Sequence, residues 1–184
     1  MRGIALAAGL LVATAALPAR SQPAAVAPAS AWRAAVSAAL AFGDAEGKRL
    51  AMARFSIPSA PTTKKDADIA LDGLDRVAKE ARDAYLLVER YGSPFWTAAA
   101  EIRIGDIFVC QAEKIVSMPP PTQITSGMPP NMRATFMEIM EGLVEPIRDQ
   151  ATQYWERAAA KRDASGLVSG WARRRLAGAT VPDC

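Results

Sequence analysis

Five methionines crowd one short segment of the chain, at Met118, Met128, Met132, Met137 and Met140. Thioethers are soft donors, and in an exported protein such a cluster is able to hold Cu(I). A second role competes with this one. Met132 and Met140 fall on the apolar stripe of a helix that the spacing predicts over residues 131–163, where methionine fills irregular gaps or lines an adaptable contact surface. Met137 stands beside the stripe. Core packing is therefore the first expectation, and a small-ligand or Cu(I) carrier using segment 118–140, with Met128, Met132, Met137 and Met140 as ligands, is the alternative.

The other reactive residues are few. The chain has 184 residues and no histidine. That removes the usual general base, the usual activator of a nucleophile and the commonest zinc ligand. Glu138, Glu141 and Glu145 recur at i, i+3, i+7, which puts them on one helix face, but nothing in the sequence sets a paired acid in an apolar pocket, so a solvated polar face is expected. Cys110 has no base near it in sequence and reads as a small buried hydrophobe or as one half of a disulfide. Cys184 is the only other cysteine, so one bridge, Cys110–Cys184, is open, and a disulfide-dense scaffold is excluded. No catalytic residue and no cofactor is assigned. A non-catalytic protein is expected.

The beginning of the chain reads as an address. Arg2 precedes the apolar run IALAAGLLVATAAL, Pro18 breaks it, and Ala19 and Ser21 supply small residues for cleavage, so residues 1–21 form a signal peptide and Gln22 starts the mature chain, with a cut after Ala19 as the competitor. No cysteine lies near this junction to take a lipid. Arg2 and Arg20 leave with the leader, so the formal charge falls from +3 to +1. No polybasic tract remains to hold nucleic acid, and no transmembrane segment is expected in the mature chain, which would be periplasmic or extracellular. Residues 22–29 read as a flexible Pro/Ala linker and residues 30–184 as one domain.

Helical periodicity fills that domain, with no convincing strand alternation. A first helix is predicted over about 30–56, opened by Ser30, weakened by Gly43 and Gly47, and carrying Trp32, Val36 and Leu40 at i, i+4, i+8. The second opens on Thr63 with Asp66 three residues later and carries Ala67, Leu71, Leu74, Ala78, Ala81, Tyr85 and Val88 on one strip. Gly92 ends it, and Ser93-Pro94 starts a third helix at once, which implies an antiparallel pair. In that third helix Ala98, Ala99, Ala100 and Gly105 admit a close neighbour, beside the apolar Ile104, Ile107, Phe108 and Ile115. SMPPPTQITSGMPPN is an extended connector. The fourth helix carries Met132, Phe136, Ile139, Leu143, Ile147, Ala151, Tyr154 and Ala158, with a kink expected near Gly142 from Pro146. A fifth spans Leu167 to Leu176.

With AYLLVERYGSP, WTAAAEIRIG, the proline-bearing connector and helix, and the closing WARRRL in view, the chain resembles the helical-hairpin module of tetratricopeptide-repeat proteins in the Gram-negative cell envelope. Ser93, Pro94, Trp96, Arg103, Ile104, Gly105 and Phe108 carry the likeness, Ile104-Gly105-x-x-Phe108 fitting the Leu-Gly-x-x-Tyr core of the repeat. Glu101 stands where the repeat's leading tryptophan would be, and no self-similarity at the repeat's period of about 34 residues is visible, so a degenerate or single-module relative is implied. The resemblance implies an all-α fold of about five helices packed as antiparallel hairpins, and a scaffold that binds envelope proteins or itself. Arg103 is expected to pair with a carboxylate of a neighbouring helix. Arg173, Arg174 and Arg175 read as a solvated cap complementing the helix dipole. The unpaired end is then the N-terminal one, with Trp32, Val36 and Leu40 as partner-binding residues.

Overall fold

The computed structural model describes residues 29–57, 61–127, 129–161, 166–181 and 184. Among them the chain is all helix, with no strand. Five long or medium helices and one single turn follow in order: α1 (Ala29–Ala53), α2 (Lys64–Glu89), α3 (Pro94–Ser117), the turn α4 (Thr122–Thr125), α5 (Pro130–Ala160) and α6 (Leu167–Leu176). The expected leader, and the linker as far as residue 28, lie outside the described residues, as does Met128. None of the described helices is long and apolar enough to cross a membrane.

Local signals set most of the helix ends. The Thr63 hydroxyl accepts the Asp66 backbone N–H at 3.2 Å, and the Asp66 carboxylate accepts the Thr63 N–H at 2.9 Å, which satisfies two donors the first turn of α2 would leave bare. Gly92, at φ 67°, takes the left-handed conformation that reverses the chain, and Pro94 opens α3. Ser93 occupies the N-cap position, but its hydroxyl makes no capping bond. Ser30 lies inside α1 instead of capping it, since Ala29 before it is already helical. The weakness expected at Gly43 and Gly47 does not break α1; both glycines face open space, so nothing there forces the backbone to change course. The connector after α3 is not wholly extended, since α4 forms within it. It docks on the loop after α1, where Thr122 and Gln123 donate backbone bonds to the Pro61 and Thr62 carbonyls.

Successive long helices run antiparallel. Phe42 of α1 meets Tyr85 of α2, Arg82 of α2 reaches Gln111 of α3, and Phe108 of α3 meets Tyr154 of α5. α3 sits at the centre, touching α1, α2, α5 and α6. Its closest neighbour is α5, and Gly105 is the reason they approach so far. A Cβ at Gly105 would lie 2.4 Å from Trp155 Nε1 and 3.0 Å from the Ala151 carbonyl oxygen. The Trp155 indole fills the missing side chain's place and donates to the Ile102 carbonyl at 3.2 Å. α5 continues through Pro146 as one helix, and Gly142, whose carbonyl loses its partner, is exposed to water that can replace it.

A charged network ties the hairpins together. Glu46 of α1 accepts the Tyr85 hydroxyl at 2.7 Å and Arg49 Nε at 2.9 Å, and Arg103 Nε of α3 stands 2.6 Å from it without the alignment of a hydrogen bond. Arg103 also contacts Asp106 at 3.2 Å and lies over the Trp171 ring of α6. Arg175 closes the network from α6, its Nε 2.8 Å from Asp106 Oδ1. The reading of Arg173–Arg175 as one solvated cap is thereby corrected. Arg173 and Arg174 are exposed, but Arg175 is buried because its counter-charge is on α3.

Candidate functional site

The largest exposed apolar side chains of α1 are those the sequence placed at i, i+4, i+8. Trp32 is 68 %, Val36 40 % and Leu40 69 % exposed. The inward face of α1 is built instead from Ala38, Ala45, Arg49 and Met52, with Phe42 partly buried beside them. Ala41, the residue after Leu40, shares an open groove of about 520 Å³ with Asp44, Lys48, Ala84, Leu87, Arg90 and Tyr91. That register sets Ala41 against the last turns of α2. Trp32 lies nine residues earlier, roughly 13 Å along the helix axis at 1.5 Å per residue, and so runs past the end of α2 with no helix of this hairpin opposite it.

Further exposed apolar side chains lie on the last turn of α2 and the turn into α3. Leu87 is 47 % and Tyr91 44 % exposed, and Phe95 packs edge-on against Trp96, which in turn meets Phe42. Tyr85 and Trp96 thus hold Phe42 between them. Leu87 and Tyr91 were not singled out from the sequence as binding residues. The adjacent Leu86, Leu87 and Val88 carry the signal, since three consecutive large apolars on a helix cannot share one face.

The other sequence-derived candidates are dispersed. Met132 is 53 % exposed, which corrects the expectation that it belongs to the core. Ile139 and Leu143 are exposed on the same half of α5, whereas Ala151, Trp155 and Ala158 are buried. Met137 shares an apolar cleft with the buried Met118, and Met132 and Met140 do not line it. Glu138, Glu141 and Glu145 are exposed, with Arg148 2.7 Å from Glu141 and 3.8 Å from Glu145. Ile104, Gly105 and Phe108 are buried at the α3–α5 contact, Trp96 is half-buried, and Ser93 and Pro94 form the turn into α3.

Cys110 is buried, Cys184 is exposed, and neither is bonded to the other. Both nonetheless line one narrow crevice with Arg49, Asp106 and Val181. A thiol–thiol hydrogen bond lowers the Cys110 thiol below its ordinary value and raises that of Cys184. Among the network carboxylates, burial raises Glu46, but the Tyr85 hydroxyl, Arg103 and Arg49 together hold it below the ordinary glutamate value. Asp106 goes the other way, because its burial outweighs Arg175 and Arg103. These carboxylates are saturated with cations and a phenol across four helices, an arrangement that fixes helices in place.

Comparison with family models, with curated proteins and with solved structures finds no match to this chain.

Proposed function

We propose that this chain is an exported, non-catalytic interaction or scaffold module of the bacterial cell envelope, a degenerate relative of the tetratricopeptide-repeat hairpin. One observation carries the reading: Trp32, Val36 and Leu40 lie solvent-exposed in a row along α1, whose first turns overrun α2. A hairpin that leaves such a row uncovered has the form of a repeat end awaiting a neighbour, since hairpin modules bury their faces by stacking. Gly105, receiving the Trp155 indole of α5, supports the kinship at the position where the repeat motif demands a small residue. The lack of histidine supports a binding role over catalysis.

Trp32 is the anchor of this face, because buried tryptophans dominate binding energies at interfaces. Trp32→Ala is expected to weaken association at least tenfold, whether with an envelope protein captured by the tagged chain or with a second copy seen by sedimentation. Helix content and thermal midpoint should stay within error of the wild type, as befits a side chain that is mostly exposed. Unchanged association would end the docking proposal, and a collapsed fold would make Trp32 a core residue. Export is tested separately. The intact mass of protein recovered from the periplasm or medium should correspond to a chain starting at or near Gln22, and a mass retaining residues 1–17 would replace an exported module with an anchored one.

A further inference from the structure

Cys110 projects from the buried side of α3, and Cys184 lies beyond α6, yet the fold sets them side by side. They line a narrow crevice with Arg49, Met52, Ala53, Asp106, Ile107 and Val181. Thr180 and Val181, just before Cys184 in the chain, are held there. Arg175, itself held by Asp106, donates through Nη1 to the Thr180 carbonyl, and Val181 packs against the core. Two thiols held together by contacts that do not involve sulfur have already met the entropic cost that loop closure would impose.

We propose that Cys110 and Cys184 form an intramolecular disulfide that clasps the segment following α6 onto α3, made by exchange with a small-molecule or protein disulfide. Cys184 is the exposed member and the one an incoming disulfide reaches. Opening of its hydrogen bond to Cys110, which holds its pKa up, frees its thiolate to attack one sulfur of that disulfide and expel the other as a thiolate, leaving a mixed disulfide. Cys110, with the Lys114 and Arg49 cations nearby, then attacks the Cys184 sulfur as its thiolate and releases the second external thiolate. The protein loses two hydrogens and two electrons, and the oxidant gains both. With oxidised glutathione the products are the bridged chain and two molecules of glutathione. The bridge fastens α6 over the Asp106–Arg175 pair, and its persistence in the cell rests on the export proposed above, whereas its formation does not.

The test uses the purified full-length chain, reduced, freed of reductant and then incubated with oxidised glutathione. Thiol titration in denaturant should fall from two thiols to none, and a non-reducing peptide map should join the Cys110 and Cys184 peptides. The oxidised protein should melt about 10 °C above the reduced one, the size of shift expected for closing a long loop in a domain of this length. Cys184→Ser, altering only an exposed residue, should fold and lose the redox-dependent shift. Two surviving thiols, a glutathione adduct on Cys184 that never resolves, or disulfides found only between molecules would each overturn the clasp. None of these outcomes depends on where the cell sends the protein.

Discussion

Asp106→Ala is expected to lower the unfolding free energy by about 3–5 kcal/mol, the usual cost of removing one member of a buried ion pair. Asp106 is 1 % exposed and Arg175 7 %, so the variant leaves a guanidinium in the interior with the Thr180 carbonyl but no counter-charge. Arg103 suffers less, since it keeps Glu46 and the Trp171 ring. Replacing both charges, as in Asp106→Leu with Arg175→Met, should recover most of the loss, because no charge is then left desolvated. Urea denaturation with an unchanged slope measures both effects. A cost below about 1 kcal/mol for the single variant would mean that the pair is screened like a surface bridge.

The two carboxylates of the network should respond to acid with opposite signs. Asp106 is raised above its ordinary 3.8, so its titration adds stability that is complete below 3.8 and is lost as pH rises through the folded value. Glu46 is lowered below its ordinary 4.5, so its contribution is present above 4.5 and is lost as pH falls through the folded value. On acidification, the stability gap between wild type and Asp106→Asn should widen, while that between wild type and Glu46→Gln should narrow. Gaps that move in the same direction would contradict this assignment.

Which parts of the fold are visible in the sequence depends on how local their causes are. α2 is legible because everything that makes it is within its own letters: the Thr63–Asp66 box, the strip from Ala67 to Val88, and Gly92 after it. α6 is bounded as its apolar spacing suggests. α1 and α5 mislead in a shared way. Periodicity finds the stripe Met132, Ile139, Leu143, Ala151, Ala158 as one face, but α3 covers only the part of α5 that lies alongside it. Gly105 stands against Trp155, so Ser117, at the end of α3, falls near the middle of α5, and the antiparallel residues before that point have outrun their partner. Trp32 and Val36 outrun α2 likewise. A sequence pattern gives the direction of an apolar face and says nothing of the length of what covers it. The burial of Arg175 and the meeting of Cys110 with Cys184 leave no periodic trace, because their causes lie on helices remote in the chain.

The contact between α3 and α5 yields the second large effect. Trp155→Ala should cost about 3–5 kcal/mol, since it empties a buried indole's volume and removes its bond to the Ile102 carbonyl. Gly105→Ala should also destabilise, although alanine in a helix interior is favoured over glycine by up to about 1 kcal/mol. The new methyl would meet Trp155 Nε1 at 2.4 Å and Cδ1 at 2.7 Å, and the α5 backbone at Ala151 leaves the indole little room to withdraw. Overpacking of this kind costs about 1–3 kcal/mol, so the clash outweighs the gain in propensity. In the Trp155→Ala background the two nearest atoms are gone and the Ala151 oxygen at 3.0 Å is the next contact, so Gly105→Ala should cost much less than in the wild type. The four proteins of this cycle, compared by urea denaturation, should therefore show a coupling of about 1–3 kcal/mol. Additive costs would mean that Gly105 and the indole do not share one space, and the close approach of α3 to α5 would need another cause.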